Sequence, residues 1–212
     1  FCVTWVFSSE MPKNQYKSRK KVPFSLKKIG KTDFVLGVDE AGRGAWAGPV
    51  VAAFVVWTGK NPLKNILRDS KKMNAQMRGV TYEEILQLAE KWKLSYGVGI
   101  ISNTVIDTVG IREANRLAMS EALSQVQNNG TYRLLIDGRD NFVFDIADLP
   151  QPEYIIRGDS LVPQIMAASI VAKVTRDRLM IEYEMTLLWY WFEKHKGYGT
   201  SLHQKALKKL WV

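Results

Sequence analysis

Four carboxylates stand where an apolar strand pattern gives way to a turn. Asp39-Glu40 directly follows Phe34-Val-Leu-Gly-Val38 and runs into Ala41-Gly-Arg-Gly44, while Asp137 follows Leu134-Leu-Ile136 and precedes Gly138. Asp159, between Gly158 and Ser160, leads into a long helical pattern. Strand ends in α/β sheets are where ligands bind, which makes these acids candidate site residues. Plainer readings compete: an Asp after a strand opens a turn by bonding its own backbone, and for Asp137 the two readings weigh equally. Asp159 would suit the first turn of a helix on dipole grounds alone. Asp39-Glu40 resists such an account, because adjacent acids repel and each needs a partner if buried. Successive strand residues face opposite sides, so both serve one site only if the chain curls, and Gly42 and Gly44 make a curl cheap. Carboxylates that converge without a His or Cys cluster favour a hard divalent cation, Mg²⁺ or Mn²⁺. Two such ions about 4 Å apart form the usual clamp for phosphodiester hydrolysis.

The elements that must position these acids alternate between strand and helix. Phe34 to Val38 and Gly48 to Trp57 read as the two strands of a hairpin, and Leu94 to Ile101 as a third strand. Asn74 to Trp92 carries Tyr82, Ile85, Leu86, Ala89 and Trp92 near helical spacing. Ser102 to Val109 reads as a short helix, and Ile111 to Val126 as a longer one stopped by Asn128-Asn129-Gly130. Tyr132 to Ile136 and Tyr154 to Ile156 read as further strands, Pro163 to about Phe192 as a long or broken helix, and Ser201 to Leu210 as a last one. The pattern predicts an α/β fold with a mixed sheet and a helical C-terminal part.

The 212 residues, 46% hydrophobic and 24% charged, suit one large domain that needs no cross-link to hold its core. One cysteine, Cys2, excludes a disulfide framework and a multi-cysteine zinc site, and a reducing cytoplasm is the expected location. No apolar run is long enough for a membrane span, and the opening apolar residues lack the basic flank of a secretory signal. Residues 1–32 hold eight of the 30 basic side chains and one of the 21 acids, leaving 22 against 20 in the rest of a chain whose net charge is +9. The division is therefore a basic, flexible arm over 1–32 and a folded domain over 33–212, the arm's natural partner being a phosphate backbone. Because the first residue is Phe and Met11 opens the basic run, residues 1–10 are read as foreign to the native chain or upstream of its start.

Gly37-Val-Asp-Glu-Ala-Gly-Arg-Gly-Ala-Trp-Ala-Gly-Pro-Val-Val-Ala-Ala53 resembles the signature of the type 2 ribonucleases H, the ribonuclease HII family. Further blocks follow in that family's order: Asp69-Ser-Lys-Lys72, Leu135-Ile-Asp-Gly138, Gly158-Asp-Ser160 with Ala167 to Arg178, and Lys196-Gly-Tyr-Gly-Thr200. The resemblance, over roughly 34–203, implies a ribonuclease H-like mixed sheet flanked by helices. It implies an endonuclease that cuts the RNA strand of RNA/DNA hybrids, and duplex DNA on the 5′ side of single embedded ribonucleotides, leaving 5′-phosphate and 3′-hydroxyl. Asp39, Glu40, Asp137 and Asp159 would be catalytic and hold two Mg²⁺ or Mn²⁺ ions, one helping place the attacking hydroxide and the other stabilising the leaving oxygen. Gly42, Arg43 and Gly44 match the loop that reads the ribose 2′-hydroxyl, the group that separates RNA from DNA. Tyr198 matches a tyrosine beside the following deoxyribose, and Lys71 and Lys72 match lysines expected to hold phosphates. Ala45-Trp46 departs from the family's usual Pro-Leu, and Leu161-Val-Pro163 from a small, polar stretch after the fourth acid.

Other residues receive plainer readings. Ser169 and Lys173 are expected to pack, and Arg176 either touches a phosphate or makes an ion pair. His195 and His203 have no second ligand at metal spacing and read as surface or packing residues, and Trp189-Tyr190-Trp191 reads as helix packing. A monomer acting on hybrids and ribonucleotide-containing DNA, without a membrane partner, is the expectation. The alternatives are a ribonuclease HIII-like, hybrid-specific nuclease and a non-catalytic nucleic-acid-binding module, for which four acids facing an anionic backbone would be a handicap.

Overall fold

Every residue of the Val50–Trp57 strand is buried, as a near-continuous run of β-branched and aromatic side chains requires when both faces of a sheet are covered. The computed structural model describes residues 34–57, 59–67, 73–126 and 132–210. The basic arm, the Lys71-Lys72 pair and the Asn128-Asn129-Gly130 stop signal lie outside the described residues.

The elements are β1 (Phe34–Ala41), β2 (Val50–Trp57), α1 (Ala75–Glu90), β3 (Leu94–Ile101), α2 (Asn103–Val109), α3 (Ile111–Leu123), β4 (Tyr132–Asp137), β5 (Pro152–Ile155), α4 (Gly158–Leu161), α5 (Pro163–Thr186), α6 (Phe192–His195) and α7 (Ser201–Leu210). Among the described residues, five strands form one sheet in the order β3-β2-β1-β4-β5. β1, β2 and β3 pair antiparallel, as the predicted hairpin requires, whereas β4 joins β1 and β5 joins β4 in parallel. A parallel neighbour needs a crossover, and α2 and α3 lie between β3 and β4 in the chain.

Strand alternation divides the core into two layers. Val51, Ala53, Val55 and Trp57 pack with α1 and α5 on one face, and Val50, Ala52, Phe54 and Val56 pack with α3 on the other. Full burial of each such large side chain contributes about 1.5–3 kcal/mol. α5 runs for 24 residues, begins with Pro163 in its first turn, and is buried along Ala167, Ala168, Ser169, Ile170, Val171 and Ala172, small residues that let it lie close to the sheet.

Several boundaries differ from the sequence expectation, among them the start of β5 at Pro152 and the inclusion of Asp137 in β4. β1 continues through Asp39 and Glu40 to Ala41, paired with Ala53, Ala52 and Val51 of β2, so the acids lie inside a strand and not after it. The long helix stops at Thr186, and Trp189 and Trp191 adopt left-handed backbone in a connection before α6. Tyr190 then stacks on Phe192 at 5.4 Å from a loop, whereas Trp189 is exposed, so the run does not pack as a helix face. No helix among the described residues is long and apolar enough to cross a membrane.

Candidate active site

The register of β1 and β4 aligns Val38 with Ile136, so the next residues along the two parallel strands, Asp39 and Asp137, fall side by side. Phe34, Leu36 and Val38 point into the α3 layer; by alternation Glu40 shares that side and Asp39 faces α5. The pair therefore faces opposite sides of the sheet without a curl, and Asp137 on the neighbouring strand lies close enough to raise the proton affinity of both. Ser169 of α5 bonds the Asp39 carboxylate, and the backbone N–H of Glu40 donates to Asp39 Oδ1 at 2.8 Å. The Ser169 hydroxyl thus bonds an acid, which corrects the reading of that residue as packing alone.

β5 brings the fourth acid to the third. Asp137 pairs with Ile155, and Gly158 and Asp159 donate their backbone N–H groups to Asp137 Oδ1 at 2.6 and 3.4 Å. Asp159, only 2% exposed, thereby sits in the first turn of α4 against the end of β4. Leu161 and Pro163 place the break between α4 and α5 at Val162.

Burial and like charge dominate the electrostatics. Burial, then Glu40, then Asp137 hold the Asp39 carboxyl well above the usual carboxylate range. Burial likewise pushes Glu40 up to about 7, opposed by Arg43, reinforced by Asp137, and opposed again by the neighbouring Asn115 amide. Arg43 stands 3.9 Å from Glu40 and pairs directly with Asp140. Its guanidinium therefore belongs to the acid cluster, and Asp140 is a participant that sequence reasoning missed. Asn115 was missed too: it is fully buried in α3, on the Glu40 side of the sheet. The available signal was one amide inside the otherwise apolar stripe Ala114, Ala118, Met119 and Ala122.

The donor set is carboxylate oxygen throughout, which fits a hard divalent cation, and the raised proton affinities of Asp39 and Glu40 mark charge that a cation would offset. Among the described residues, no three acidic, histidine or cysteine side chains are gathered closely enough to hold one ion as placed.

A carboxyl with a raised folded-state pKa contributes stability that is complete below its free value of 4.5 and is lost as pH rises through about 7. Glu40→Gln removes that ionisation. In chelator, the melting temperature of the variant is expected to fall less than that of the parent between about pH 5 and about pH 8. Equal falls in the two proteins would remove Glu40 as the source.

The candidate substrate loops meet beside the acids. Gly42, with φ +101°, makes the turn after β1, and a Cβ there would overlap the Arg176 side chain. Trp46 and Ala47 donate their N–H groups to Gly197 O at 2.9 and 3.2 Å, tying the Gly42-Arg43-Gly44 turn to the loop that carries Tyr198. The Tyr198 ring lies under Lys173 at 5.0 Å and Arg176 at 5.2 Å, and Lys173 also pairs with Asp177 at 2.7 Å.

Arg176 itself is enclosed, at 0% exposure, and donates to the carbonyls of Pro49, Lys196 and Ala47 at 2.8, 2.7 and 2.9 Å. It is a loop clamp, which replaces both roles weighed for it from sequence. His195 and His203 are buried and stacked at 4.3 Å; each bonds a backbone carbonyl, of Tyr190 and Tyr198 respectively, so they pack.

A mixed β3-β2-β1-β4-β5 sheet with acids at the adjoining ends of β1 and β4 defines a ribonuclease H-like protein. The sequence profile described as Ribonuclease HII matches residues 36–212, and the chain belongs to that family. It is 43% identical over 180 residues to the Ribonuclease HII of Leuconostoc mesenteroides, covering 85% of this chain and 67% of the relative. It is 46% identical over 177 residues to that of Ruminiclostridium cellulolyticum, covering 84% and 66%. The match thus spans about two thirds of the length of these relatives. Among solved structures, the ribonuclease H2 of Pyrococcus horikoshii OT3 has the same fold, with a TM-score of 0.67 at 23% identity over 84% of this chain and 87% of that one.

Proposed function

We propose that this chain is a metal-dependent endoribonuclease that hydrolyses the RNA strand of RNA/DNA hybrids and cuts on the 5′ side of single ribonucleotides embedded in duplex DNA. The observation that carries this reading is the side-by-side placement of Asp39 and Asp137, with Glu40 and Asp159 adjoining, next to a Gly42-Arg43-Gly44 turn tied to the Tyr198 loop. Bound at these carboxylates, a pair of Mg²⁺ or Mn²⁺ ions would supply the Lewis acidity that phosphodiester hydrolysis needs, for attack and for departure of the 3′-oxygen.

The chain's own groups do the rest. Asp39, Glu40, Asp137 and Asp159 are the metal-holding and catalytic set. Ser169 fixes the Asp39 carboxylate, and the α4 backbone fixes one oxygen of Asp137. Arg43 offsets the local negative charge that would otherwise repel a phosphate. The main chain at Gly42 and Gly44 approaches the ribose 2′-hydroxyl, and Tyr198 lies against the sugar that follows. Lys71, Lys72 and the arm over 1–32 are proposed to hold phosphates, which would make binding fall with salt. Cleavage leaves 5′-phosphate and 3′-hydroxyl ends, the chemistry with which removal of ribonucleotides from DNA begins.

A gel assay on three labelled duplexes tests the reading: all DNA, DNA with one ribonucleotide, and an RNA/DNA hybrid, with Mg²⁺ or Mn²⁺ and a chelator control. Metal-dependent cutting of the last two, 5′ to the ribonucleotide in the second, is expected, with the all-DNA duplex intact. Cutting of the hybrid alone would replace this reading with hybrid-specific, ribonuclease HIII-like activity, and binding without cutting would leave a nucleic-acid-binding module.

A further inference from the structure

Trp46 lies between the turn assigned to the ribose and the loop carrying Tyr198, yet neither assignment uses its side chain. Its backbone is pinned to Gly197 O, and the indole lies over Gly199 so closely that a Cβ there would come within 2.8 Å of Cδ2 and nearer still to Cε2 and Cζ2. His203 supports it from a ring-centroid distance of 5.8 Å at a 40° tilt. The residue is nevertheless 60% exposed. A large aromatic group immobilised on one side and open on the other has already lost most of its rotamer freedom, so it can receive a flat apolar surface at little entropic cost.

In a duplex the base faces are stacked on one another, and the apolar surface presented beside a ribose-reading loop is the C–H face of the neighbouring sugars. We propose that Trp46 is a specificity-determining residue whose exposed indole packs against a deoxyribose flanking the ribonucleotide and disfavours a 2′-hydroxyl at that position. The physical basis is asymmetric: a deoxyribose offers C–H groups that gain from burial on the ring, whereas a ribose hydroxyl pressed against it loses water and finds an indole with one N–H and no acceptor. Trp46 would thus act with Tyr198 as a second check that the ribonucleotide is followed by DNA. The inference rests on the activity proposed above and adds a substrate preference to it.

The test is the ratio of kcat/KM on the single-ribonucleotide DNA duplex to kcat/KM on the uniform RNA/DNA hybrid. Trp46→Ala is expected to lower this ratio about tenfold, mostly through KM on the DNA duplex, the size expected when one stacked or desolvated contact is lost. Trp46→Phe, which keeps an aromatic face, should retain most of it. Trp46→Gln still covers Gly199 but offers no apolar face, so it should reproduce the shift even if the Ala variant melts lower. A merely structural wedge would reduce both substrates in proportion, and an unchanged ratio in the Ala and Gln variants overturns the proposal. Parent protein that cuts neither substrate overturns the activity itself, and the inference with it.

Discussion

Asp137→Asn is expected to reduce cleavage of every substrate by about a thousandfold or more, the scale on which losing a preorganised charged group acts in the transition state. The substitution keeps the size of the side chain and an oxygen able to accept from the N–H groups of Gly158 and Asp159, so α4 stays where it is. It also removes one of the charges that raise the proton affinity of Asp39 and Glu40, so the folded protein should melt no lower than the parent and slightly higher without divalent ions. Duplex binding, measured by fluorescence anisotropy in a non-cleaving buffer, should persist. Residual cleavage within about tenfold of the parent would remove Asp137 from the metal-holding set and would leave its role as a backbone acceptor for α4.

Arg176→Met should destabilise the protein by about 3–5 kcal/mol, the cost of leaving buried polar groups without a charged partner they were built around. The guanidinium donates to Pro49 O, Lys196 O and Ala47 O, and no other residue type offers donors diverging from one plane in this way. Arg176→Lys keeps the charge but can reach fewer of the three carbonyls, so it should fall between parent and Met. Because Ala47 and Pro49 follow the Gly42-Arg43-Gly44 turn while Lys196 precedes the Tyr198 loop, the variant should loosen both candidate substrate loops together. Urea unfolding measures the stability, and proteolysis within 42–49 and 196–200 measures the loosening. A loss below about 1 kcal/mol would show that backbone contacts such as Trp46 to Gly197 hold the loops unaided.

Much of the fold was legible along the chain because it depends on local periodicity. The uninterrupted apolar run before Trp57 gave a strand covered on both faces, the alternation of strands with helical spacing gave a mixed sheet, and Pro163 gave the start of the longest helix. The four acids stood out for a related reason: carboxylates adjoining apolar strands conflict with the pattern around them, and such conflicts concentrate where a protein does chemistry. The helix end was less legible. Apolar and aromatic residues continue to Phe192, and the run is broken by backbone that leaves helical values at Leu187 and turns left-handed at Trp189 and Trp191, which a helical period does not register.

What the sequence determined by itself is which groups are present and which elements they adjoin: Asp39 and Glu40 next to β1, Asp137 next to β4, Asp159 before the long helix, and glycines where the chain must turn. The tertiary structure decided the partners. Glu40 faces α3 and Asn115 while Asp39 faces α5 and Ser169; Arg43 is drawn to Asp140; Arg176 is sealed under two loops. Arg176 and Ala47 lie 129 positions apart in the chain, and nothing local to either residue encodes the other. Such pairings arise when apolar burial brings two layers onto one sheet, and the polar groups trapped between them must then find whichever donors and acceptors that packing has placed within reach.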